Sequence, residues 1–464
     1  MNLHNTIRVA IKEFKQNLED FCQNRDFSRL SPRNALEFSE CLKSSLAATG
    51  RIAFKTFLED FEVTGNSINK DNISYRFDKE SSKAYLTPFG EIDISRRLYK
   101  SAQSKSSFVP LDEKWGMVGE YATLEVRESI CFSCGLITPE ETSALLKKSA
   151  LFNPSSTAIK HIVSKTGEFS EENKGEINSI IRKEEKIPEK TEVASISLDG
   201  VNVLLNEPGK RKGRKIHRPK LGYQNNDKTS FRNAMVGSVS FYTKKDGVPE
   251  RIESRYVSQM PEPNFLTFKS HFEDEVKSVF ERLPGTVKKV LIVDAHHSIR
   301  GYLRGHELFK DCDYLIDFYH VTEHLSKAAE AIFGKSTDKN KEYYTKWKHR
   351  LKMEDRSVEK LYRSLQYYYG TISKSQRTLL KPEITYFKKH KRHMNYAPYV
   401  IQGLPIGSGP VEAACKSIVK TRMCRSGMRW SRNGGQKILN FRTYIKSNRW
   451  ESFWKQYKEW KLAA

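Results

Sequence analysis

Between residues 192 and 319, short β-branched runs alternate with stretches of helical period, and two of the runs stop at an aspartate. Val193-Ala-Ser-Ile-Ser-Leu198 leads into Asp199, and Val290-Leu-Ile-Val293 leads into Asp294. Runs of this length and composition read as buried strands of an α/β sheet, in which ligand sites gather at strand ends. A third carboxylate, Glu412, opens a helix after Gly407-Ser-Gly-Pro410, with Pro410 suited to the first helical position. Taken singly, an aspartate after a hydrophobic strand is an ordinary turn residue. Three carboxylates brought together are hard oxygen donors for Mg²⁺ or Mn²⁺, and two such ions about 4 Å apart drive in-line phosphoryl displacement.

The patterning predicts strands at 192–206, 232–243 and 250–259, a helix at 264–283, a strand at 288–294, a helix near 300–310 and a strand at 313–319. That is the element order of an RNase H-like sheet, whose first and fourth strands lie side by side, so Asp199 and Asp294 are expected to meet. From Phe318 to Gly403 the chain is helical and rich in Lys, Tyr and Trp; it reads as an all-α insertion and accounts for the 118 positions between Asp294 and Glu412. The expected fold is α/β, an RNase H-like mixed sheet with an all-α insertion, preceded by a helical N-terminal region with a helix-turn-helix. The expected domains are 1–110 (helices and a β-hairpin), 111–188 (helical DNA-binding region and linker), 189–325 (first part of the core), 326–402 (insertion) and 403–464 (last part of the core and basic C-terminal helices).

Within the N-terminal half, 3–25 and 28–62 read as amphipathic helices, the first with Ile7, Ala10, Ile11, Phe14, Leu18 and Phe21 inward. Tyr75 to Tyr99 reads as a strand pair about Thr87-Pro-Phe-Gly90. Thr138 and Glu141 form a capping box, and Asn153-Pro154 turns the chain into a second helix that is expected to stop at Gly167. Ile159, Ile162 and Val163 face inward on it, which leaves Ser156, Lys160 and Lys165 outside to reach DNA in a helix-turn-helix. An ordinary helical hairpin has the same pattern. Glu171 to Glu189 is charged and poor in apolar residues, a linker.

The balance of 80 Lys+Arg against 56 Asp+Glu, a formal +24, predicts attraction to a polyanion, nucleic acid before an anionic membrane. No run of 18 apolar residues exists, and Met1-Asn-Leu-His-Asn-Thr-Ile-Arg8 lacks the apolar stretch of a signal peptide, so a soluble, unsecreted chain is expected. Seven cysteines fit reduced thiols, and the lone Cys131-Phe-Ser-Cys134 reads as a structural pair on a helix. Residues 210–220 carry seven basic residues and no acid, so Lys210, Arg211, Lys212, Arg214 and Lys215 are expected to form a phosphate-binding arm beside Asp199. Residues 401–464 hold 13 Lys+Arg against three Glu, with Trp430, Trp450, Trp454 and Trp460 interleaved. There Glu412, Lys416 and Lys420 share a helical face, with Val411, Ala414, Cys415 and Ile418 inward, and Arg422, Arg425 and Arg429 follow as further DNA contacts.

His320-Val-Thr-Glu-His324 fits a zinc-protease pattern. Its first histidine is expected at a strand-helix junction instead of inside a helix, and the basic charge does not suit a protease. Ser197-Leu-Asp-Gly200, Val293-Asp-Ala295, Asp317-Phe-Tyr-His-Val-Thr-Glu-His-Leu325, Gly407-Ser-Gly-Pro-Val-Glu-Ala-Ala-Cys-Lys416 and Arg425-Ser-Gly-Met-Arg-Trp-Ser431 resemble the bacterial DDE transposases of the Kra-type insertion sequences, over about residues 85–450. The second aspartate departs from that family's wording, being followed by Ala-His-His-Ser-Ile299 in place of Gly-Ala and a Trp-bearing stretch.

The resemblance implies an RNase H-like core and a triad of Asp199, Asp294 and Glu412 holding two Mg²⁺ or Mn²⁺ ions; His297, which stands where the chain departs from that family, and His320 are further candidates, from their positions alone, for outer groups near the metals. It implies a transposase that nicks at element ends and joins the 3′-OH to target DNA. Its partners would be terminal inverted repeats and target DNA, bound by a homo-oligomer in the bacterial cytoplasm at the nucleoid, with no membrane. A nuclease or resolvase with the same triad, and a transposase-derived DNA-binding protein, remain open on the residues alone.

Overall fold

The computed structural model describes residues 3–23, 25, 29–101, 103, 106–206, 231–294 and 297–463. The chain divides into two units, Met1–Glu172 with Glu451–Ala464, and Asn173–Trp450.

The first unit opens with helices α1 (Leu3–Gln23) and α2 (Pro32–Glu59). Ser31 caps α2 by accepting the Asn34 N–H, and Pro32 takes the first helical position. On α1 Ala10 is buried, but Ile11, expected inside, is exposed. An antiparallel sheet follows in the order β1 (Ser67–Lys70), β2 (Ile73–Thr87), β3 (Gly90–Lys100), β4 (Ser107–Phe108). Its β2–β3 turn is Thr87-Pro-Phe-Gly90, where Gly90 supplies a φ of +116°. Alternation along β3 buries Ile92 and Ile94 and leaves Glu91 and Asp93 outside.

Helices α3 (Pro110–Lys114), α4 (Leu124–Leu136), α5 (Pro139–Ser149) and α6 (Ser156–Glu172) complete this stretch. Cys131 and Cys134 lie buried on α4 without forming a disulfide, and the Cys134 Sγ lies 3.4 Å from the Thr142 hydroxyl. The Thr138–Glu141 capping box is present at the start of α5, and α6 buries Ile159, Ile162 and Val163. Two expectations are corrected here. Helix α6 runs through Gly167, because Thr166, Phe169 and Ser170 continue its buried face. Lys165 is turned back to the Gly119 carbonyl at 2.5 Å, so it does not stand free of the protein. Lys160 is exposed and pairs with Glu140 across α5 and α6 at 2.9 Å.

The second unit begins with α7 (Lys174–Glu184). The segment expected to be a linker is thus helical: Ile177 and Ile181, one turn apart, are both buried and give it a core-facing stripe. Next come β5 (Val193–Leu204), β6 (Phe231–Lys245), β7 (Val248–Gln259), α8 (Leu266–Phe280), β8 (Lys288–Val293), α9 (His297–Gly305) and β9 (Asp313–Ile316). They form one sheet in the order β7-β6-β5-β8-β9, with β5, β6 and β7 antiparallel and β5, β8 and β9 parallel. The first strand of this sheet therefore neighbours the fourth.

Helices α10 (Phe318–Phe333), α11 (Asp338–Met353), α12 (Ser357–Thr371), α13 (Lys374–His390) and α14 (Ala397–Ile401) fill the interval before α15 (Gly409–Ala414). A π-helical turn (Cys415–Lys420), α16 (Thr421–Met423) and α17 (Arg432–Lys446) follow. The last helix, α18 (Trp450–Ala463), groups from Glu451 onward with the first unit, where Phe453, Trp454 and Tyr457 are buried.

Residue parity sorts the core of the sheet into two faces. Ile196, Leu198, Leu291 and Val293 pack with Phe268, Phe272 and Val276 of α8. On the opposite face, Val201 and Val203 pack with Val411, Ala414 and Cys415, while Val290 and Ile292 pack with Phe318, Val321 and Leu325 of α10. Asp199 and Asp294 share the parity of this second group. Among the described residues, no helix is long and apolar enough to cross a membrane.

Candidate active site

Parallel register decides which carboxylates meet. β5 and β8 pair with a constant offset, Val193 with Lys288 through Ile196 with Leu291, and continuing it three residues sets Asp199 level with Asp294. β8 and β9 pair through Val293 with Ile316, and one further step sets Asp294 level with Asp317. The Asp317 N–H donates to the Val293 carbonyl at 2.9 Å, which carries that register past the end of β9. The extended register thus brings Asp199 of β5 level with Asp294 and Asp317, which directly follow β8 and β9, on neighbouring parallel strands about 4.8 Å apart in any sheet. Asp199 does not end its strand: β5 continues to Leu204 along β6 after β8 has ended, and the Asp199 carboxylate accepts the Gly200 N–H at 2.7 Å.

Asp317 is fully buried and caps α10, accepting the His320 backbone N–H at 2.8 Å. Its other oxygen accepts the Ser408 N–H. The segment before α15 is drawn in by a further bond, from the Phe318 N–H to the Ile406 carbonyl at 3.0 Å. Gly407 is needed for this approach, since a Cβ there would meet the Tyr319 ring at 2.6 Å. Ser408 then donates its hydroxyl to Glu412 Oε1 at 3.2 Å. His320 Nδ1 lies 3.3 Å from Asp317 Oδ1 and 3.7 Å from Glu412 Oε1. Asp317, His320 and Glu412 each offer a ligand atom within 4.8 Å of the others, a donor set of two carboxylates and one imidazole.

The electrostatics agree with this crowding. The hydrogen bond to Asp317 lifts His320 to about 9 against the effect of burial, with the charges of Asp294 and Glu412 adding to it. Burial works to raise the Asp317 carboxyl, but the bonds from His320 and Ser408 outweigh it and hold the group below the usual range. Glu412 is pushed up by burial and then by the charge of Asp317, with Asp199 contributing as well. Burial, then the Asp199 charge, pushes up the Cys415 thiol, so Asp199 lies against the start of the π-helical turn.

The tight group is therefore centred on Asp317, Glu412 and His320, with Asp199 and Asp294 within range of their charge. Asp317 went unnoticed as a ligand in the sequence. Its signal was the one used for the other two, an aspartate after the apolar run Tyr314-Leu-Ile316, but that run is short and its register is set by distant pairing. His320 falls in the first turn of α10 and so on the same helix as His324, where a strand-helix junction was expected. His324 Nδ1 is engaged by Glu383 Oε2 at 2.6 Å.

The basic residues divide. Lys416 and Lys420 are exposed, but the α-helical register that aligned them with Glu412 gives way to the π-helical turn after Ala414. Arg425 and Arg429 are exposed. Arg422 is corrected: it is 2% exposed, with its guanidinium 5.2 Å from the Trp430 ring, and does not face solvent. Lys210, Arg211, Lys212, Arg214, Lys215 and His296 lie outside the described residues, as does the side chain of His297.

No family model and no curated protein matches the chain. Among solved structures it is similar to the Drosophila P element transposase strand transfer complex, with a TM-score of 0.26 and 10% identity over 73% of this chain and 80% of that one. A score of that size places neither fold nor function.

Proposed function

We propose that the chain is a DNA transposase of the DDE type, with an RNase H-like core, which nicks DNA at insertion-sequence ends and joins the freed 3′-OH to target DNA. The observation that carries this reading is the alignment of Asp199, Asp294 and Asp317 on neighbouring parallel strands, with Glu412 beside Asp317. The sheet order, with its first strand parallel to its fourth, supports the RNase H-like assignment. The formal charge of +24 supports DNA as the partner. In this reading α5 and α6 are a DNA-binding helix-turn-helix, Lys416, Lys420, Arg425 and Arg429 meet the phosphate backbone, and a homo-oligomer assembles on DNA at the nucleoid.

The donor set fits divalent ions. Asp199, Asp294 and Glu412 would hold two Mg²⁺ or Mn²⁺, with Asp317 and His320 adjoining. Bound there, the ions supply Lewis-acid activation of the attacking oxygen and neutralise charge on the phosphate. The chain does the positioning. Ser408 fixes the Glu412 carboxylate, Asp317 fixes the His320 ring, and the buried strands fix the row of aspartates.

The test is a strand-transfer assay with Mg²⁺ and a labelled, pre-cut duplex carrying the sequence that borders the gene. Covalently joined products are expected, and a 3′-dideoxy terminus abolishes them because the nucleophile is gone. Asp294→Ala, Asp199→Ala and Glu412→Ala each abolish nicking and joining, while DNA binding stays within a few-fold. Nicking without joining would replace the transposase reading with that of a hydrolytic nuclease.

A further inference from the structure

Beside the carboxylates a groove of about 400 Å³ opens to solvent, within the size range of ligand pockets, roughly 300–1,000 Å³. Its walls come from three stretches: the start of α10 at Phe318 and Tyr319, the β6–β7 turn at Gly247 and Val248, and the chain between Val400 and Pro410. These walls are fixed to one another. Asp246 and Gly247 both take a positive φ, 51° and 76°, and close β6 onto β7 in a two-residue turn. Gly403 lets the chain before α15 lie against that turn, since a Cβ there would meet the Gly247 carbonyl oxygen at 2.9 Å. The bond from the Phe318 N–H to the Ile406 carbonyl ties the same chain to α10.

The groove borders the carboxylate site directly. Asp317 and His320 flank its two α10 residues, while Ser408 and Glu412 stand among Gly407, Gly409 and Pro410 on its other wall. A Cβ on Gly407 would meet the Tyr319 ring at 2.6 Å and Asp317 Oδ2 at 3.6 Å, so ring edge and carboxylate oxygen border one point. The adjoining side chains are open to solvent, Glu412 by 42% and His320 by 30%.

Tyr319 stands out in this setting. Its ring is 57% exposed, although Asp317 and Phe318 before it are buried. Among the described residues, the lining of the groove is mainly apolar and its one charged member is a cation, Lys352. An open aromatic face in an apolar groove without a carboxylate suits the flat ring of a nucleobase on a polyanionic strand.

We propose that this groove is a nucleobase subsite, which takes an unpaired base of the nucleotide flanking the reacting phosphodiester and stacks it on the Tyr319 ring. This rests on the reading of the carboxylate site as one for DNA phosphoryl transfer. Every base has a π-face, so the subsite selects an unpaired nucleotide and not a sequence. A mismatched base costs less to extrude than a paired one, so unpaired ends are the preferred form.

The experiment titrates the full chain with the pre-cut duplex that borders the gene, carrying a 3′-dideoxy terminus so that binding is read without joining. A mismatched thymidine or an abasic residue is placed in turn at the terminal and the penultimate position of either strand. At one of these positions wild type should bind the thymidine form about 10-fold more tightly than the abasic form, the scale of one base–aromatic stack. Tyr319→Phe and Tyr319→Trp should keep this preference. Tyr319→Ala should lose it, with its melting temperature unchanged and its affinity for the abasic form within about 2-fold of wild type, as for an exposed substitution. Val248→Glu, at another exposed position of the lining, should lose it as well, because it sets a carboxylate in the path of the strand.

A Tyr319→Ala that still prefers thymidine overturns the proposal, and so does a wild type indifferent to the base at every position. Self-association without DNA that Tyr319→Ala or Val248→Glu abolishes in sedimentation also overturns it, by assigning the groove to a second copy of the chain. Indifference in a wild type that nicks and joins with Mg²⁺ above an Asp294→Ala blank sinks the subsite alone. A wild type that neither nicks nor joins overturns the reading of the site and this proposal with it.

Discussion

Asp317 serves two purposes with one carboxylate: Oδ1 caps α10 and Oδ2 holds Ser408, while the same group offers an oxygen beside His320 and Glu412. Two substitutions separate these purposes. Asp317→Asn keeps an acceptor for one of the two N–H groups, sets its amide NH₂ against the other, and loses the charge. Asp317→Ala leaves both donors unmet, at about 1–3 kcal/mol each, and one of them, the His320 N–H, is the helix cap itself. The expected outcome is a clear drop in melting temperature for Ala, a lesser drop for Asn, and severe loss of nicking for both. An Asn variant that nicks like wild type would reduce Asp317 to a structural cap. Asp199, Asp294 and Glu412 were legible because each sits at a change of pattern, two after apolar runs and one after a Gly-Pro helix start. Asp317 and the burial of Arg422 were hidden for a common reason. Both depend on contacts that periodicity does not show, with Val293 and Ser408 far off in sequence for the one and with the indole of Trp430, beyond a turn of the chain, for the other.

At the scale of elements, strands and helices of the catalytic-type sheet were legible from period and composition, and the β2–β3 turn and the cap of α5 from their residues. Two elements were not. The π-helical turn after Ala414 breaks an α-periodic stripe that looked continuous, and periodicity alone cannot register the extra residue. Helix α7 passed for a linker because its charges mask Ile177 and Ile181. Those charges are used inside: Arg449 donates to Glu185 just after α7 and to Glu275 of α8, and His271 of α8 shares the same small cavity with Lys174, Arg182, Glu275 and Arg449. Burial, then the charges of Lys174 and Arg182, lowers His271 to about 4 from 6.5. The unfolded chain therefore takes up this proton as pH falls below about 6.5, while the native chain takes it up only near 4, so stability declines across that window. The full difference is roughly 3 kcal/mol at about 1.4 kcal/mol per unit. His271→Gln should flatten the pH dependence of unfolding between 6.5 and 4 relative to wild type. Parallel curves for the two proteins would show that the imidazole is not buried neutral.

The whole molecule carries a formal +24, and its reading as a DNA-binding chain predicts how affinity responds to salt. Each duplex phosphate neutralised by Lys or Arg releases condensed counterion, so log affinity falls against log salt with a slope of about −0.9 per contact. Uniform surface charge would spread this response thinly over many residues. The chain instead concentrates seven basic residues within 210–220, directly after the strand that carries Asp199. If that segment tracks the backbone beside the site, replacing Lys210, Arg211, Lys212, Arg214 and Lys215 with Ser should make the slope shallower by about 4 to 5, at nearly one per lost contact. Replacing five exposed Lys of the insertion should change it much less. Affinity of both variants should converge toward that of wild type at high salt, where the electrostatic contribution is screened. Binding isotherms between 50 and 300 mM KCl, roughly the range over which such slopes are read, decide the matter. Equal slopes for wild type and the 210–215 variant would mean that the basic segment lies off the DNA, and that Lys416, Lys420, Arg425 and Arg429 alone supply the phosphate contacts next to the carboxylates.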